Sequence, residues 1–352
     1  GHIVSIASIA TSQEKFGTHT REEQGIPVTE HFTSSLNTHH EEVREMITCL
    51  LGMNNPDVIL LNTPAVFFSP AHMITLEEAV KAGKIVIVMV VDELFPAADS
   101  NKQKQIERYY ELLHTKNVQI LGISDTVRRK FAQLSGTKPD YLPQLFNLEQ
   151  VVSPRSERTN ITMVNTHPIK GIDIFAKVAE LLPKKKFMAV QNWVDVPKFK
   201  PGRNVTVRPF YQNPRDLYQE TRMLLVPSLC QEGAARVVIE AMLNGIPVIA
   251  HRIGSLPEIG KDCISYITPP HIQGYRFEGT IMYPVVHEQE LRMVATEFAR
   301  KIIEVDSNYS QFSRKTTDAG LQYCRSNKEK FQKFLQRWLN SLSAATQPST
   351  QS

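Results

Sequence analysis

Residues 224–250 read LLVPSLCQEGAARVVIEAMLNGIPVIA, and this stretch decides the predicted fold. The apolar run that ends at Pro227 is typical of a buried strand. A loop with Glu232 follows, and then a helix over 234–243 that Gly245 would close, because glycine favours the end of a helix. Another apolar run begins directly afterwards. Strand, helix and strand in this order form the repeating unit of a parallel α/β sheet.

The same alternation extends along the rest of the chain. The strand candidates are short runs rich in Val and Ile, at 58–62, 85–91, 118–123, 161–165, 187–191, 205–207, 223–226 and 247–250. Segments of helical period lie at 41–51, 75–81, 106–113, 172–182 and 234–243. Strands that are apolar at nearly every position suit a parallel sheet covered on both faces. The pattern occurs twice, which predicts two Rossmann-like, doubly wound domains.

A polar segment with a proline, at 148–160, predicts a linker between these domains. We therefore expect a first domain over residues 1–150 and a second over 151–310. Amphipathic helical sequence continues beyond them, and helices over 311–342 are expected to pack across both domains. Residues 343–352 are small and polar, which predicts a disordered tail.

The first domain opens in an unusual way. The chain begins with an apolar run at 2–7 that predicts a strand, and residues 10–25 are expected to form a loop. This segment contains no G-x-G-x-x-G turn, which argues against a nicotinamide-dependent dehydrogenase. The run at 2–7 is interpreted as the second strand of such a domain. The first strand and its glycine-rich loop are therefore expected to be missing.

Composition limits the classes of partner. The 352 residues are 41% hydrophobic and carry a formal net charge of +4. A dedicated nucleic-acid binder usually has a denser basic stripe, whereas a few basic residues suffice for a phosphorylated small molecule. No apolar run has the roughly 20 residues that a membrane span needs, so we expect a cytoplasmic protein. Peripheral membrane contact and the oligomeric state stay open.

The cysteines give no sign of a metal site or of a disulfide framework. They stand far apart in the chain, at Cys49, Cys230, Cys263 and Cys324. No C-x-x-C pair occurs among them, which argues against structural zinc and favours a reducing compartment.

Charged residues cluster around the helix at 234–243. Glu232 lies just before it, where free backbone N–H groups and the positive end of the helix dipole favour anions. Arg236 and Glu240 are four positions apart and could form an ordinary surface salt bridge. Against that interpretation, Glu240 has apolar neighbours in sequence, which predicts a nearly buried carboxylate that needs a polar partner. Both interpretations remain open from spacing alone.

Residues 232–258 resemble glycosyltransferase family 4, the retaining GT-B enzymes also called glycosyl transferases group 1. The family has two glutamates separated by seven residues, in a pattern like E-G-F-G-R-x-x-x-E-A-M-x-x-G-x-P-V-I-A, followed by G-G-L-P-E. The matching residues here are Glu232-Gly233-Ala234-Ala235-Arg236, Glu240-Ala241-Met242, Gly245-Ile246-Pro247-Val248-Ile249-Ala250 and Gly254-Ser255-Leu256-Pro257-Glu258. The departure is at Ala234 and Ala235, where the family usually has an aromatic residue and a glycine.

The resemblance implies a GT-B fold, in which an acceptor domain at 1–150 faces a donor domain at 151–310 across a cleft. It further implies that Glu232 holds hydroxyls of the donor sugar and that Glu240 accepts hydrogen bonds from the nucleotide ribose. Ionised carboxylates are strong acceptors for such hydroxyls. Gly233, Ala234 and Ala235 would line the same donor site.

A second segment of the resemblance, residues 163–175, reads MVNTHPIKGIDIF. The family has a Lys-Gly pair at this place, which implies that Lys170 and Gly171 contact the donor diphosphate. Many relatives also carry an arginine five or six residues earlier, whereas this chain has Val164 and Asn165. Asn165 is retained as a donor-side candidate, and Arg236 could supply the missing charge. The alternative is that Lys170 is merely a solvated lysine.

Two weaker assignments complete the predicted site. Phe210 and Tyr211 are aromatic residues that could stack on the nucleotide base. Asp92 follows the strand at 85–91 and is a candidate for the acceptor side. The family often has a histidine just before this aspartate, but Val91 stands there.

Together these residues predict a glycosyltransferase that moves a hexose-type sugar from a nucleoside-diphosphate sugar to a hydroxyl of a small-molecule, glycan or lipid acceptor. Retention of the anomeric configuration is implied, with Glu232, Lys170 and Arg236 as the catalytic residues. No metal and no cofactor besides the nucleotide-sugar co-substrate are expected. Two alternatives stay open: an epimerase or phosphorylase on the same fold, and a non-catalytic protein that binds a nucleotide or a glycan.

Overall fold

The computed structural model describes residues 6–11, 17–23, 25–33, 40–63, 70–91, 103–154, 157–191, 199–278 and 281–345. Contacts divide the chain into two compact units. Unit 1 runs to Ile123 and resumes over Val127–Tyr141, and unit 2 comprises Ser124–Thr126 and the chain from Leu142 onward. The sequence placed residues 142–150 in the first domain, whereas their contacts group them with unit 2.

Unit 1 begins with a small mixed sheet. Its strands are β1 (Ile6–Thr11), β2 (Gly17–Glu23) and β3 (Ile26–Thr33). β3 lies in the middle, parallel to β1 and antiparallel to β2. The expectation of a loop over residues 10–25 is therefore wrong, because β1 reaches Thr11 and β2 runs from Gly17 to Glu23. The sequence of β2, GTHTREE, has no apolar face, so its periodicity does not reveal a strand that is held by backbone pairing.

The main sheet of unit 1 is parallel, as predicted. Its strands, in spatial order, are β4 (Val58–Thr63), β5 (Ile85–Val90), β6 (Val118–Gly122) and β7 (Asp140–Tyr141). The helix α1 (His40–Asn54) precedes β4, and the helices between the strands are α2 (Pro70–Lys81), α3 (Gln103–Leu113) and α4 (Asp125–Ser135). Leu76, Val86 and Phe131 are buried where these helices meet the sheet.

Unit 2 contains a parallel sheet of six described strands. In chain order they are β8 (Asn160–Val164), β9 (Phe187–Val190), β10 (Val205–Arg208), β11 (Thr221–Val226), β12 (Val248–His251) and β13 (Ser265–Ile267). Their spatial order is β10-β9-β8-β11-β12-β13. The chain thus winds outward from β8 in one direction and from β11 in the other. In such sheets, the point where the order reverses is where ligands bind.

Helices cover both faces of this sheet. The helix α5 (Leu148–Val151) precedes β8, and the helices described between the strands are α6 (Ile172–Leu181), α7 (Pro214–Glu220), α8 (Arg236–Leu243) and α9 (Leu256–Gly260). The neighbouring residues Leu224 and Leu225 are both buried, but they pack into different hydrophobic clusters. Because successive strand residues point to opposite faces, this alternation shows why β11 is apolar at nearly every position.

The chain continues with a hairpin and two long helices. The hairpin is formed by the antiparallel strands β14 (Ile272–Glu278) and β15 (Ile281–Val286). The helices are α10 (Glu288–Ser307) and α11 (Tyr309–Ala345), in the amphipathic region predicted to be helical. α11 reaches into the segment that was expected to be a tail. Within the described parts of the chain, no helix combines the length and apolarity needed to cross a membrane.

The buried Asn244 fastens the segment before β8 to the end of α8. Its Oδ1 accepts hydrogen bonds from the Ser153 N–H (2.8 Å) and hydroxyl (2.9 Å). Its Nδ2 donates to the carbonyl oxygens of Val151 (3.0 Å) and Glu240 (2.8 Å). Every polar atom of this side chain is thus satisfied in a place that water does not reach.

We expect Asn244→Ala to lower the free energy of unfolding by about 2–4 kcal/mol, because it leaves buried donors and acceptors without partners. Urea unfolding followed by circular dichroism measures this. The matched control is Asn308→Ala, since Asn308 is exposed and its Nδ2 donates to Glu304 O (3.1 Å), one turn earlier in α10. That change should stay within about 0.5 kcal/mol. Equal losses for the two variants would contradict the role assigned to Asn244.

Candidate functional site

The candidate site lies where β8 and β11 end, at the reversal point of the unit 2 sheet. After β8 the chain makes a 3₁₀ turn, Pro168–Lys170, followed by Gly171 with φ of 85°. A Cβ atom at Gly171 would lie 2.0 Å from the carbonyl oxygen of Pro227. Only glycine therefore fits this left-handed position, and the close packing brings Lys170 beside the end of β11. A hydrogen bond from Leu229 N to Ile169 O (2.7 Å) joins the same two segments.

Lys170 and Glu232, both predicted as catalytic, form an ion pair at this point. Lys170 Nζ lies 2.7 Å from Glu232 Oε1, and the side chains are only 25% and 11% exposed. Ser228 also donates its hydroxyl to Glu232 Oε1. Burial is the largest single influence and lowers the pKa of Lys170, but Glu232 and Cys230 together outweigh it and raise that pKa above its ordinary value. Lys170 is thus a paired ammonium rather than a solvated one.

The backbone of Glu232 is held by the segment after β12. Gly254 has φ of 54°, and a Cβ atom there would lie 2.4 Å from Glu232 N. The Ser255 N–H donates to Glu232 O (2.8 Å), and the Gly254 N–H donates to Gln231 Oε1 (2.8 Å). The G-S-L-P-E segment of the sequence resemblance therefore positions the first glutamate through main-chain contacts.

Between Glu232 and α8 the backbone makes a strained turn. Ala235 has a left-handed conformation with φ of 39°, which non-glycine residues seldom adopt. For this reason α8 begins at Arg236 rather than at the predicted Ala234. The family pattern has a glycine at the position of Ala235, where glycine would adopt this conformation without a steric penalty.

Glu240 is nearly buried in α8, with 8% of its surface exposed. Its polar partner is Tyr218 of α7, whose hydroxyl donates to Glu240 Oε2 at 2.9 Å. The salt bridge with Arg236 is also present, but at 3.5 Å it is long. The Arg236 guanidinium also lies over the Phe146 ring, with its Cζ atom 4.6 Å from the ring centroid. Burial raises the pKa of Glu240 above its ordinary value, although Tyr218 and Arg236 both oppose the shift.

The remaining candidates have less direct relations to this pair. Asn165 takes φ of 76°, and its Oδ1 accepts from His167 N (2.9 Å), which shapes the turn that leads to Lys170. Phe210 and Tyr211 follow β10, which is separated from β8 by β9. The Tyr211 hydroxyl donates to Glu220 Oε1 (3.2 Å), and Phe210 is half exposed. Asp92 lies outside the described residues. Their assigned roles stay predictions.

The sequence analysis missed three side chains of the site. Ser228 contacts Glu232, and its position at the carboxyl end of a strand could have signalled it. Cys230 lies close enough to Lys170 for their side chains to interact, and burial raises the pKa of its thiol. Tyr218 comes from a separate helix, and no spacing rule connects it to Glu240. Across the residues that the structure covers, no group of three or more His, Cys, Asp or Glu side chains is arranged to hold a metal ion.

The raised pKa of Glu240 predicts a pH dependence of stability. A carboxyl group whose pKa is raised on folding binds its proton more tightly in the folded state. The wild type should therefore lose stability relative to Glu240→Gln as the pH rises from the ordinary pKa of 4.5 through the folded value. Urea unfolding of both proteins from about pH 4 to about pH 8 measures this difference.

Tyr218→Phe provides the second arm of this test. It removes a hydrogen bond that lowers the pKa of Glu240, so the loss should continue to a higher pH than in the wild type. The quantity to follow is the free energy of unfolding of the wild type minus that of Glu240→Gln, which should fall as the pH rises. A value that stays constant or increases with pH would contradict a buried Glu240 carboxyl group with a raised pKa.

A sucrose-phosphate synthase, a glycosyltransferase and a protein in complex with UDP-glucose are among the solved structures with a similar fold. Sucrose-phosphate synthase from Thermosynechococcus elongatus has a TM-score of 0.68 at 13% identity, over 98% of this chain and 90% of that one. A glycosyltransferase from Rickettsia africae has a TM-score of 0.67 at 14% identity, over 96% and 98%. Anabaena HepE in complex with UDP-glucose has a TM-score of 0.67 at 13% identity, over 95% and 99%. Identities this low establish the fold alone, and the predicted GT-B fold is confirmed.

The chain matches a protein over a short stretch of sequence and a family model within unit 2. A protein of Klebsiella pneumoniae, described as an uncharacterized 42.6 kDa protein in the cps region, is 31% identical over 96 residues. That match spans 26% of this chain and 26% of the relative, or about a quarter of each. The family model of the glycosyl transferases group 1 matches residues 158–272. The segment that holds Lys170, Glu232 and Glu240 therefore matches the model of the group 1 glycosyl transferases. The resemblance predicted from the spacing of the two glutamates is confirmed.

Proposed function

We propose that this chain is a glycosyltransferase that moves a hexose-type sugar from a nucleoside-diphosphate sugar to an acceptor hydroxyl, with retention of the anomeric configuration. The observation that carries the proposal is the partly buried Lys170–Glu232 pair at the reversal point of the unit 2 sheet. It lies within the segment that matches the group 1 glycosyl transferases. An acidic and a basic group side by side at this place suit a ligand that has both hydroxyls and phosphates.

The ion pair is the part of the site that the donor would change. A diphosphate carries acceptor oxygens of the charge that Lys170 Nζ prefers, so it can replace Glu232 as the partner of the ammonium. The released Glu232 carboxylate can then accept hydrogen bonds from the donor-sugar hydroxyls. Both charges are already desolvated in the free protein, so little further desolvation accompanies this exchange of partners.

Glu240 would bind the nucleotide ribose through one particular oxygen. Its Oε2 already accepts from the Tyr218 hydroxyl at 2.9 Å. Within the described part of the chain, its Oε1 has only the long 3.5 Å contact with Arg236, which leaves it available to the ribose hydroxyls. Arg236, held over Phe146, has a side chain that is 57% exposed and can turn its guanidinium toward the diphosphate.

The proposed reaction breaks the bond between the anomeric carbon and the diphosphate oxygen. The bonding electron pair leaves with the nucleoside diphosphate, whose growing negative charge Lys170 and Arg236 stabilise. The acceptor oxygen bonds to the oxocarbenium-like carbon on the face that the phosphate leaves, and its proton passes to the departing phosphate oxygen. Side-chain cations, rather than a metal ion, would supply the positive charge in this scheme. A cytoplasmic location also remains part of the proposal.

Nucleotide binding is the first test. Because the similar structure of HepE contains UDP-glucose, a thermal-shift panel should begin with UDP and UDP-glucose and include the other nucleoside diphosphates. A ligand at 100 times its Kd should stabilise the protein by about 2.7 kcal/mol. Glu240→Ala should lose most of that shift relative to its own ligand-free form, whereas the control Glu149→Ala, at an exposed residue of α5, should keep it. The absence of any shift with every nucleotide would overturn the proposal.

Turnover is the second test. With the donor that binds, Lys170→Ala and Glu232→Gln should each lower kcat by about 100- to 1000-fold, the usual cost of removing one group that stabilises developing charge. Lys177→Ala is the matched control, because Lys177 of α6 pairs with Glu288 of α10 (2.8 Å) and has no contact with Glu232 in the described structure. Its rate should stay near the wild-type value.

Product analysis separates transfer from the other reactions of this fold. Analysis by NMR should find the sugar on the acceptor in its original anomeric configuration. Inversion at the anomeric carbon would remove the retention part of the proposal. An epimerised nucleotide sugar, or a sugar phosphate, would replace transfer by epimerisation or phosphorolysis. Bound nucleotide without any product would leave a non-catalytic binding protein.

A further inference from the structure

Almost all of the β14–β15 hairpin lies beyond the segment that matches the family model. The matched residues end at Ile272, the first residue of β14. The base of the hairpin is fixed to unit 2, because Ile272 and Val286 pack against the hydrophobic cluster beneath α6 and α10. A hydrogen bond between Gln273 Nε2 and His287 Nε2 (2.7 Å) closes that base. The hairpin is therefore an anchored element, and its projecting part needs its own explanation.

The hairpin lies next to the Lys170–Glu232 pair. β15 packs against the 3₁₀ turn Pro168–Lys170, which carries the lysine. Tyr275 of β14 lies near Cys230, whose side chain interacts in turn with Lys170. Burial, together with the proximity of the Cys230 thiol, raises the pKa of the Tyr275 hydroxyl. Packing and electrostatics thus place the same hairpin beside the candidate site.

The two faces of the hairpin differ in what they contact. Tyr283 of β15 is buried, and its cross-strand partner Arg276 lies over its ring at 4.5 Å from the centroid. The opposite face carries Tyr275, paired with Pro284, and Phe277, paired with Met282. Tyr275 is 48% exposed and Phe277 is 67% exposed. One face therefore anchors the hairpin, and the other presents two aromatic rings about 7 Å apart along the strand.

We propose that this aromatic face is a sugar-stacking wall of the Lys170–Glu232 site, in which the ring of Tyr275, extended by Phe277, contacts the apolar face of a pyranose. The inference rests on the proposed function, because the substrate is then a hexose. A pyranose ring has polarised C–H groups on one face, and an aromatic ring has a negative face that attracts them. The hydroxyls at the rim of the sugar would meet the charged groups beside the hairpin. The pyranose can belong to the donor or to a saccharide acceptor.

The test compares Tyr275→Ala with Val285→Ala. Val285 is an exposed apolar residue of the same hairpin, but it pairs with Gly274 and so lies on the other face. Calorimetric titration with UDP and with UDP-glucose separates contacts with the nucleotide from contacts with the donor sugar. The KM of a saccharide acceptor measures contacts with the acceptor. A stacked ring is worth about a three- to tenfold change in affinity.

We expect Tyr275→Ala to leave the UDP affinity unchanged. If the donor sugar is the stacked ring, the affinity for UDP-glucose falls three- to tenfold, and if the acceptor is, its KM rises by that factor. Tyr275→Phe keeps the ring and should retain the wild-type values, as should Val285→Ala. Equal values for Tyr275→Ala and Val285→Ala, or a loss of UDP affinity as large as that of UDP-glucose, would overturn the proposal.

Failure of the proposed function would be visible separately, as a wild type that binds neither UDP nor UDP-glucose. In that case saturation-transfer NMR with methyl α-D-glucopyranoside tests whether the aromatic face of the hairpin binds a pyranose. Signal transfer to the sugar that Tyr275→Ala abolishes and Val285→Ala keeps supports the stacking wall. No transfer in the wild type, or binding of the aromatic face only to lipid vesicles, counts against it.

Discussion

The ion pair between Lys170 and Glu232 can form only where the chain segments after β8 and β11 are in contact. Both side chains are largely buried, and a buried charge without a partner is strongly destabilising. Two glycines make the contact geometrically feasible, since Gly171 fits against Pro227 and Gly254 fits against the backbone of Glu232. The site therefore depends on close main-chain packing as much as on its charged groups.

This arrangement gives the free protein a site in which the central charges are already balanced. A ligand must offer Lys170 an anion and offer Glu232 hydroxyl donors in the same binding event. Molecules that supply only one of these leave one buried charge without a partner, which costs free energy. In the proposed function, the pair would therefore favour nucleotide sugars over simple phosphates or simple sugars, in addition to its part in the reaction.

Glu240 follows the same logic on the next helix. Its carboxylate is nearly buried, and Tyr218 satisfies one oxygen while Arg236 approaches the other only loosely. Arg236 is itself held over Phe146, so the helix end carries a cation that is positioned without being neutralised. In the proposed function, these groups and the aromatic face of the β14–β15 hairpin would supply contacts for phosphate, ribose and sugar ring.

Most strands of the two parallel sheets, the helices α1, α2, α3, α6 and α8, and the positions of the two glutamates could be predicted from the sequence, because strand alternation, helix period and cap residues are local properties. The strands β7 and β13 and the helices α4, α5, α7 and α9 were not predicted. The polar strand β2 and the β14–β15 hairpin were not predicted, because hydrogen bonds between paired strands, rather than a hydrophobic pattern, hold them. Lys170 and Glu232 are 62 positions apart, and Tyr218 and Glu240 are 22 apart. Which distant side chain satisfies which buried charge is decided only when the sheet order is set, because packing of separate elements, not spacing along the chain, brings those atoms within hydrogen-bonding distance.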